Sequence, residues 1–245
     1  MYETLLFAIF VGFVAQMIDG ALGMAYGVTS NSVLLAMGIP SAPASASVHT
    51  AEIFTTLTSG VSHLKFKNVD KRLCKRLLIP GVIGGFLGAC CLVLVPVTLI
   101  KPIVSLYLII MGLLILRKLF ATTNHRKDTN EIILGGAGGF LDAIGGGGWG
   151  PIVTSTLVAR GNNPRITIGS VNLAEFFVTL SEALTFFAFL GIVHLEIIIG
   201  LIIGGVLAAP LAAYTCKKLH LKVLMAIVGV AIIILNIRTL YLALI

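Results

Sequence analysis

Long apolar runs separated by short polar or glycine-rich stretches make up almost the whole chain. The runs lie at 4–18, 21–38, 43–63, 76–95, 98–118, 131–142, 149–160, 166–190, 192–216 and 221–245. A helix needs about 20 residues to cross the hydrocarbon core of a bilayer. The runs long enough for this are 43–63, 76–95, 98–118, 166–190, 192–216 and 221–245. The pattern therefore predicts an all-α polytopic membrane protein with about eight to ten membrane segments.

The remaining four runs flank Asp19 and Asp142 and are shorter. At a rise of about 1.5 Å per residue each would extend roughly 18–27 Å, against a hydrocarbon core of about 30 Å. These segments, at 4–38 and 131–160, are predicted to be either the half-helices of a re-entrant hairpin or two thin spans. The sequence leaves both alternatives open.

One segment of the chain occurs twice, at the offset of 123 positions that separates Asp19 from Asp142. The same offset, without a gap, pairs Gly12 with Gly135, Gly23 with Gly146, Tyr26 with Trp149, Gly27 with Gly150, Ser47 with Ser170 and Glu52 with Glu175. We expect a first transmembrane repeat at 1–120, a cytoplasmic linker at 121–130 and a second repeat at 131–245. A duplicated, interrupted hydrophobic segment is the best sequence pointer to the binding site of a secondary transporter.

The charges of the loops predict how the two repeats are oriented. The loop at 64–76 carries Lys65, Lys67, Lys71, Arg72, Lys75 and Arg76, and the loops at 117–130 and 217–222 are also basic. The connections at 38–43, 96–97 and 190–195 have no Lys or Arg. Because basic loops remain in the cytoplasm, the 43–63 helix should run inward and the equivalent 166–190 helix outward. The repeats are therefore predicted to have inverted topology.

Composition excludes a soluble domain and a nucleic-acid binder. The chain is 58% hydrophobic and 11% charged, with a mean hydropathy of +1.06. Its net charge of +7 comes from short loops, which indicates membrane topology. No signal peptide is expected at Met1, and the four cysteines lack the spacing of a disulfide framework or a metal site. We predict a multi-pass protein of the cell (inner/cytoplasmic) membrane, with no metal and no cofactor.

The first candidate site is the interrupted segment in each repeat, from Asp19 to Gly27 and from Asp142 to Gly150. Irregular backbone at membrane depth is tolerated only where protein or a wet cavity satisfies it. A half-helix that begins there presents free N–H groups and a positive dipole end to an anion. The alternative is that the glycines allow close helix crossing while the two aspartates cap the following half-helices.

The second candidate site is a polar stripe on the helix that follows each interruption. The stripe consists of His49, Glu52, Thr56, Ser59 and His63 in the first repeat, and Asn172, Glu175, Thr179 and Glu182 in the second. Steps of three and four residues place each set on one helical face. An ionisable residue inside a membrane is a functional-site hypothesis by default. Interhelical hydrogen bonding, with Glu52 protonated or paired to His49, is the alternative.

Stripes of small residues mark a third feature. Gly81, Gly84, Gly85 and Gly88 lie in the first repeat, and Gly200, Gly204, Gly205 and Ala208 in the second. Such stripes let helix backbones approach each other closely. We predict that they are packing faces.

These paired segments resemble the two signature regions of the sulfite exporter TauE/SafE family. The resemblance lies in Gly12–Gly27 and Gly135–Gly150, each followed by a similar stretch, Pro40–Glu52 and Asn163–Glu175, and it extends over essentially the whole chain. It implies a membrane carrier for sulfite, sulfonates, sulfoacetate-like compounds or other organic anions, without fixing the direction. The second signature often ends in Gly-Pro, as Gly150-Pro151 does, whereas the first copy has Gly27-Val28. The halves are therefore not interchangeable.

The functional hypothesis is a secondary transporter that moves a small anion by alternating access. The candidate substrate-binding residues are Gln16, Asp19, Gly23, Tyr26, Asn31, His49, Glu52, Asp142, Gly146, Gly147, Gly148, Trp149, Asn172 and Glu175. A carboxylate beside an anion is repulsive unless it is protonated, so Glu52 and Glu175 are also candidates for proton coupling. The expected partners are the anion and the lipid bilayer, with no nucleic acid; a homodimer is left open.

The alternatives are an anion channel, which would conduct without saturation or exchange, and a divalent cation permease that uses the repeated acidic residues. An intramembrane enzyme would need a nucleophile beside a base. Ser47 and His49 are the nearest pair, but residues at i and i+2 of a helix do not face each other. No catalytic residue is therefore predicted.

Overall fold

The computed structural model describes residues 2–22, 24–118, 129–215 and 221–244. These residues form α1 (Tyr2–Leu22), α2 (Tyr26–Ala36), α3 (Ser41–Lys65), α4 (Lys71–Leu94), α5 (Val97–Lys118), α6 (Glu131–Gly145), a π-helical turn (Gly150–Thr154) continuing into α7 (Ser155–Ala159), α8 (Pro164–Leu190), α9 (Leu195–Thr215) and α10 (Leu221–Leu244). The described ranges contain no strand, which agrees with the predicted all-α class. Gly23, most of the predicted 121–130 linker and residues 216–220 lie outside them.

The distribution of polar and apolar side chains is that of a protein embedded in lipid. Within the described ranges, four helical stretches are long and apolar enough to cross a membrane: Tyr2–Asp19, Lys71–Leu94, Val97–Arg117 and Pro164–Leu190. Their outer faces expose large apolar side chains such as Leu6, Phe10, Ile83, Leu113 and Leu184. Polar side chains such as His49, Asp142 and Glu182 are buried inside. Apolar side chains on the outside with polar side chains inside are favoured in the hydrocarbon core of a bilayer and not in water.

The helix before the first interruption is longer than the sequence suggests. We expected the piece that ends before Asp19 to be short, but α1 has 21 residues and continues through Asp19 to Leu22. That length spans about 30 Å, enough to cross the hydrocarbon core. The corresponding α6 has 15 residues and also continues past its aspartate, to Gly145. Each interruption therefore follows the aspartate by several residues, and the aspartate lies in the last turn of the preceding helix.

A left-handed backbone conformation occurs at each interruption. Gly146 has φ = 64° at the end of α6, and Gly147 follows with φ = 142°. Glycine adopts these angles without steric cost. In the first repeat Ala25, directly before α2, has φ = 92°, at a cost of about 1–2 kcal/mol for a residue with a Cβ atom. The predicted breaks in the glycine-rich stretches are thus present in both repeats.

The two helices that carry the polar stripes, α3 and α8, pack against each other in opposite directions. His49, near the start of α3, contacts Glu182 in the second half of α8. Ser59, further along α3, accepts a hydrogen bond from Asn172, nearer the start of α8. Another equivalent pair, α5 and α10, is also antiparallel, because Gly112 packs against Ile233 while Leu116, further on, packs against Gly229.

The small-residue stripes have the packing role that we predicted. On α4, Gly84 lies against the backbone of Gly136 in α6, and Gly88 lies against Phe140. The equivalent contact is between α1 and α9, where a Cβ atom on Gly12 would come 2.6 Å from the Leu201 carbonyl oxygen. Each interrupted helix therefore packs along a glycine-rich helix of the other repeat, and these contacts hold the two interruptions at the centre of the molecule.

Candidate functional site

The two interrupted segments meet in the protein interior. A Cβ atom on Gly27, at the start of α2, would lie 2.5 Å from Gly147 Cα and 2.8 Å from the Gly146 carbonyl oxygen. The Asn31 amide donates a hydrogen bond of 2.5 Å to the Gly145 carbonyl. The Tyr107 hydroxyl donates to the Gly147 carbonyl at 3.2 Å. Side chains from the first half therefore support the irregular backbone of the second, as its depth in the membrane requires.

Each aspartate reaches across its interruption to the segment that follows. Asp142 Oδ1 accepts a hydrogen bond of 2.8 Å from the Trp149 backbone N–H, at the start of the π-helical turn. The equivalent Asp19 carboxyl faces the Tyr26 N–H. These contacts give the aspartates the capping role that was one of the two sequence interpretations, although each cap comes from the preceding helix.

The N–H groups that a bound anion would use therefore already face carboxyl groups of the protein. In addition to the two aspartates, the Glu52 carboxyl faces the Gly27 N–H. A backbone N–H at a helix start attracts negative charge from any source. An anion that binds at these N–H groups therefore competes with the protein's own carboxylates.

A second cluster surrounds His49, whose side chain is fully buried. His49 Nδ1 lies 2.9 Å from Glu52 Oε2 on the same helix and 3.0 Å from Glu182 Oε2 on α8. His49 Nε2 lies 3.2 Å from the backbone oxygen of Asp142. Because a carbonyl oxygen can only accept, Nε2 carries a proton and donates it, while Nδ1 faces the two glutamate carboxyl groups. The Phe186 ring stacks on the imidazole at 6.1 Å and restrains its plane.

The carboxyl oxygens around His49 have few hydrogen-bond donors. Glu182 is fully buried and Asp142 is 2% exposed. The Asp142 and Glu182 carboxyl groups hydrogen-bond to each other, and among the described residues no N–H group donates to either Glu182 oxygen or to Glu52 Oε2. The ligand atoms of His49, Asp142 and Glu182 all lie within 4.8 Å of one another. Buried carboxylates in such proximity require protons or a cation between them.

The other predicted donors are bonded within the protein. The Trp149 indole N–H donates to the Val171 carbonyl at 3.2 Å, and the Tyr26 hydroxyl donates to the Leu201 carbonyl at 3.1 Å. The Asn172 amide donates to Ser59 Oγ at 2.8 Å. In this conformation these side chains connect helices.

Of the remaining predicted residues, Gln16 is buried in α1, and its Oε1 atom has no donor among the described residues. Glu175 is half-buried on α8. Gly148 contributes backbone at the interruption and lies beside the Tyr107 hydroxyl. Gly23 lies outside the described residues.

The structure adds Glu182 and Tyr107 to the predicted site. Glu182 belongs to the polar stripe of the second repeat, but its equivalent in the first repeat is Ser59, so the repeat did not single it out. Tyr107 lies in the largely apolar α5, and the repeat does not mark it, because its equivalent position is Val230. Ser47, the candidate nucleophile that we considered, donates its hydroxyl to the Pro43 carbonyl at 2.8 Å, away from His49.

The two ends of the α3–α8 pair are closed differently. Beside the basic 64–76 loop, Arg165 Nε donates to Asn68 Oδ1 at 2.6 Å, and the Asn68 amide lies 3.4 Å from His63 Nδ1. The Asp70 N–H donates to Ser170 Oγ at 2.8 Å. We call this network of Arg165, Asn68, His63, Asp70 and Ser170 the polar latch.

The opposite end holds an apolar cavity instead. The repeat places Gly191 at the position of Asn68, and Ala42 at that of Arg165. The cavity has a volume of about 250 Å³, and its lining includes Ala46, Phe187 and Val193. One end of the helix pair is therefore joined by hydrogen bonds, while the equivalent end is loosely packed.

Two comparisons with known proteins found matches that cover nearly the whole chain. The family model described as "Sulfite exporter TauE/SafE" matches residues 8–239. The chain is 46% identical over 251 residues to a "Probable membrane transporter protein YtnM" of Bacillus subtilis (strain 168), a match that covers 98% of this chain and 83% of that protein. No solved structure matches the chain.

Proposed function

The chain belongs to the sulfite exporter TauE/SafE family of membrane proteins, and from this premise we propose that it is a secondary carrier for a small anion. The proposed substrates are sulfite, a sulfonate or a sulfoacetate-like compound, and the proposed location is the cytoplasmic membrane. The observation that carries the proposal is the contact of the two interrupted segments, Gly27 against Gly147, in the interior of a membrane transporter. Broken helices of this kind form the substrate sites of secondary transporters.

We further propose that the two repeats have inverted topology and exchange conformations during transport. The antiparallel packing of α3 against α8 and of α5 against α10 supports this, because inverted repeats require equivalent helices to run in opposite directions. The difference between the polar latch and the apolar cavity also supports it. In an alternating-access cycle the latched end opens as the other end closes.

The proposed anion site lies at the helix starts after the interruptions. The N–H groups of Gly27 and Trp149 now face Glu52 and Asp142. A substrate anion would replace these carboxylates as the negative partner of the N–H groups. Since like charges repel, it can approach only when nearby carboxyl groups are neutralised. This requirement ties anion binding to the uptake of a positive charge.

We assign proton coupling to Glu175. This residue is half-buried on α8, and the carboxyl groups that contact His49 belong instead to Glu52 and Glu182. The acidic groups that act on it electrostatically are Asp19, Glu52 and Asp142. The same groups would repel a substrate anion, so a proton on Glu175 lowers the total negative charge that the anion meets. Glu52, the other candidate, contacts both His49 and the Gly27 N–H and is part of the central cluster.

Transport into proteoliposomes tests the proposal. Purified protein is reconstituted with unlabelled sulfite or sulfoacetate inside, and counterflow of the radiolabelled anion is measured with other sulfur-containing anions, carboxylates and divalent cations as competitors. Uptake of a labelled divalent cation is measured in parallel. The expected result is saturable exchange that at least one sulfur-containing anion inhibits. Conductance without saturation would indicate a channel, and uptake of divalent cations with no anion exchange would indicate a cation permease. Either result would overturn the anion carrier.

A further inference from the structure

We propose that His49, Asp142 and Glu182 form a binding site for a divalent transition-metal cation, with Glu52 as a further oxygen ligand. The site would lie between the two repeats, since His49 and Glu52 belong to α3, Asp142 to α6 and Glu182 to α8. This inference goes beyond the proposed transport function, which requires no metal.

The histidine is arranged as a metal ligand. Metal-binding histidines almost always donate their other ring N–H to a carboxylate, a backbone carbonyl or water. His49 does this through Nε2, which lies 3.2 Å from the Asp142 carbonyl oxygen. In the neutral ring that binds a metal, the lone pair of Nδ1 would point at two carboxyl oxygens, 2.9 Å away on Glu52 and 3.0 Å away on Glu182. Three acceptors therefore converge on one point.

The oxygen atoms are also available to a cation. The Trp149 N–H occupies Asp142 Oδ1 and leaves Oδ2 without an N–H donor. Within the described part of the chain, no N–H group donates to the Glu182 carboxyl, although that side chain is fully buried; its hydrogen-bond partner is another carboxyl group, that of Asp142. A buried carboxylate without a partner is costly, and several kcal/mol per ion is a typical penalty. A bound cation removes this penalty for several carboxylates at once.

The spacing and the chemistry of the ligands select the class of metal. Ligands at about 2.0–2.2 Å from a tetrahedral metal are roughly 3.3–3.6 Å apart, so the observed nitrogen–oxygen distances of 2.9 and 3.0 Å would widen by a few tenths of an ångström on metal binding. One imidazole with carboxylates suits Zn²⁺, Mn²⁺, Fe²⁺ or Co²⁺. Ca²⁺ takes six to eight oxygen ligands, and Cu⁺ prefers sulfur.

The repeat provides a contact of the same geometry without metal ligands. His49 and Glu182 are equivalent to Asn172 and Ser59, which form a neutral hydrogen bond of 2.8 Å. A metal would thus connect α3 to α8 at one of two equivalent positions. This makes Ser59→Ala a matched control for Glu182→Gln.

Metal binding to the purified full-length protein tests the proposal. After treatment with EDTA, the protein in detergent is titrated with Zn²⁺ and Co²⁺ by calorimetry, and the bound metal is counted by mass spectrometry. We expect one metal ion per chain, with affinity reduced at least about tenfold in His49→Gln and Glu182→Gln and unchanged in Ser59→Ala. Equal affinity in all four proteins, or no binding to the unmodified protein, would overturn the site.

A second measurement does not depend on the folding of any variant. X-ray absorption at the zinc edge of the unmodified protein should show one nitrogen neighbour from histidine and otherwise oxygen at about 2.0–2.2 Å. Sulfur neighbours at about 2.3 Å would place the metal on cysteines and refute the proposed ligands. Because both experiments measure binding rather than transport, a negative outcome is distinct from failure of the anion-carrier proposal.

Discussion

His49 and Glu182 contact each other across the two repeats, with Nδ1 3.0 Å from Oε2, and the equivalent residues Asn172 and Ser59 form the other contact that the repeat generates. The same helix pair therefore has an ionisable contact at one position and a neutral contact at the other. Gene duplication alone would give two identical contacts. The difference indicates that the two repeats share a framework but contribute unequally to the central site.

Gly85 provides the space that the Glu182 side chain occupies. A Cβ atom at Gly85 would lie 2.5 Å from Glu182 Oε1 and 2.8 Å from its Cγ. We predict that Gly85→Ala displaces the carboxyl group from His49 and lowers the transport rate. In a Glu182→Ala background the same change should have little further effect, because the clash is gone. Transport assays on the single and double variants measure this coupling, and additive losses would show that Gly85 acts elsewhere.

The contact between Gly27 and Gly147 should tolerate no side chain. A Cβ atom on Gly27 would meet backbone atoms at 2.5 and 2.8 Å, and backbone cannot rotate away as a side chain can. We predict that Gly27→Ala destabilises the protein by about 1–3 kcal/mol, the usual cost of overpacking, and abolishes exchange. Thermal unfolding in detergent and counterflow measure the two effects.

Gly136→Ala is the matched control for this change. Its Cβ atom would lie at an ordinary contact distance of 3.7 Å from the Pro80 carbonyl oxygen, and alanine favours the helix over glycine by up to about 1 kcal/mol. Its stability should therefore be unchanged or higher. Equal loss of stability in both variants would show that the interruption is not especially tightly packed.

The polar latch should control access from its own end. Removing the Asn68 side chain in Asn68→Ala eliminates its hydrogen bonds with Arg165 and His63. Loss of a bond to a charged group costs about 1.5–3 kcal/mol, and each 1.4 kcal/mol is tenfold in the equilibrium between closed and open ends. We predict at least about tenfold faster labelling of the buried Cys74 by a maleimide, with the other three cysteines replaced by serine.

Ser62→Ala provides the control for the latch. The Ser62 hydroxyl donates to the Thr58 carbonyl on its own helix, so its removal breaks no contact between the repeats. Labelling of Cys74 should remain at the rate of the parent protein. If Asn68→Ala and Ser62→Ala label at the same rate, the polar latch does not keep this end closed.

The sequence predicted those features of the fold that depend on a local pattern of residues. The glycine run at 145–148 predicted an interruption, and the left-handed angles of Gly146 and Gly147 occur there. The polar stripe predicted one face of α3, and its members His49, Glu52 and Thr56 are buried.

The features of the site that the sequence did not predict depend on contacts between helices that are distant along the chain. The indole N–H of Trp149 was a candidate donor to substrate, but the approach of α8 brings the Val171 carbonyl to it. Glu182 was omitted from the predicted site because its equivalent residue is Ser59, and Tyr107 had no pattern around it. The extension of α1 past Asp19 could not be read from hydropathy, because the polar residue is stabilised by a partner beyond the helix end, the Tyr26 N–H.

Glu175→Gln tests which group couples protons to transport. If a proton on Glu175 admits the anion, the apparent affinity of the unmodified protein for the anion should rise as pH falls, since the neutral carboxyl repels the anion less. Glutamine is neutral at every pH, so the variant should retain exchange but lose most of this pH dependence and the response to an imposed pH gradient. Glu196→Gln, in the first turn of α9, should keep both. Counterflow measured from pH 5 to 8 on the three proteins distinguishes these outcomes, and an unchanged pH profile in Glu175→Gln would remove this residue from the coupling mechanism.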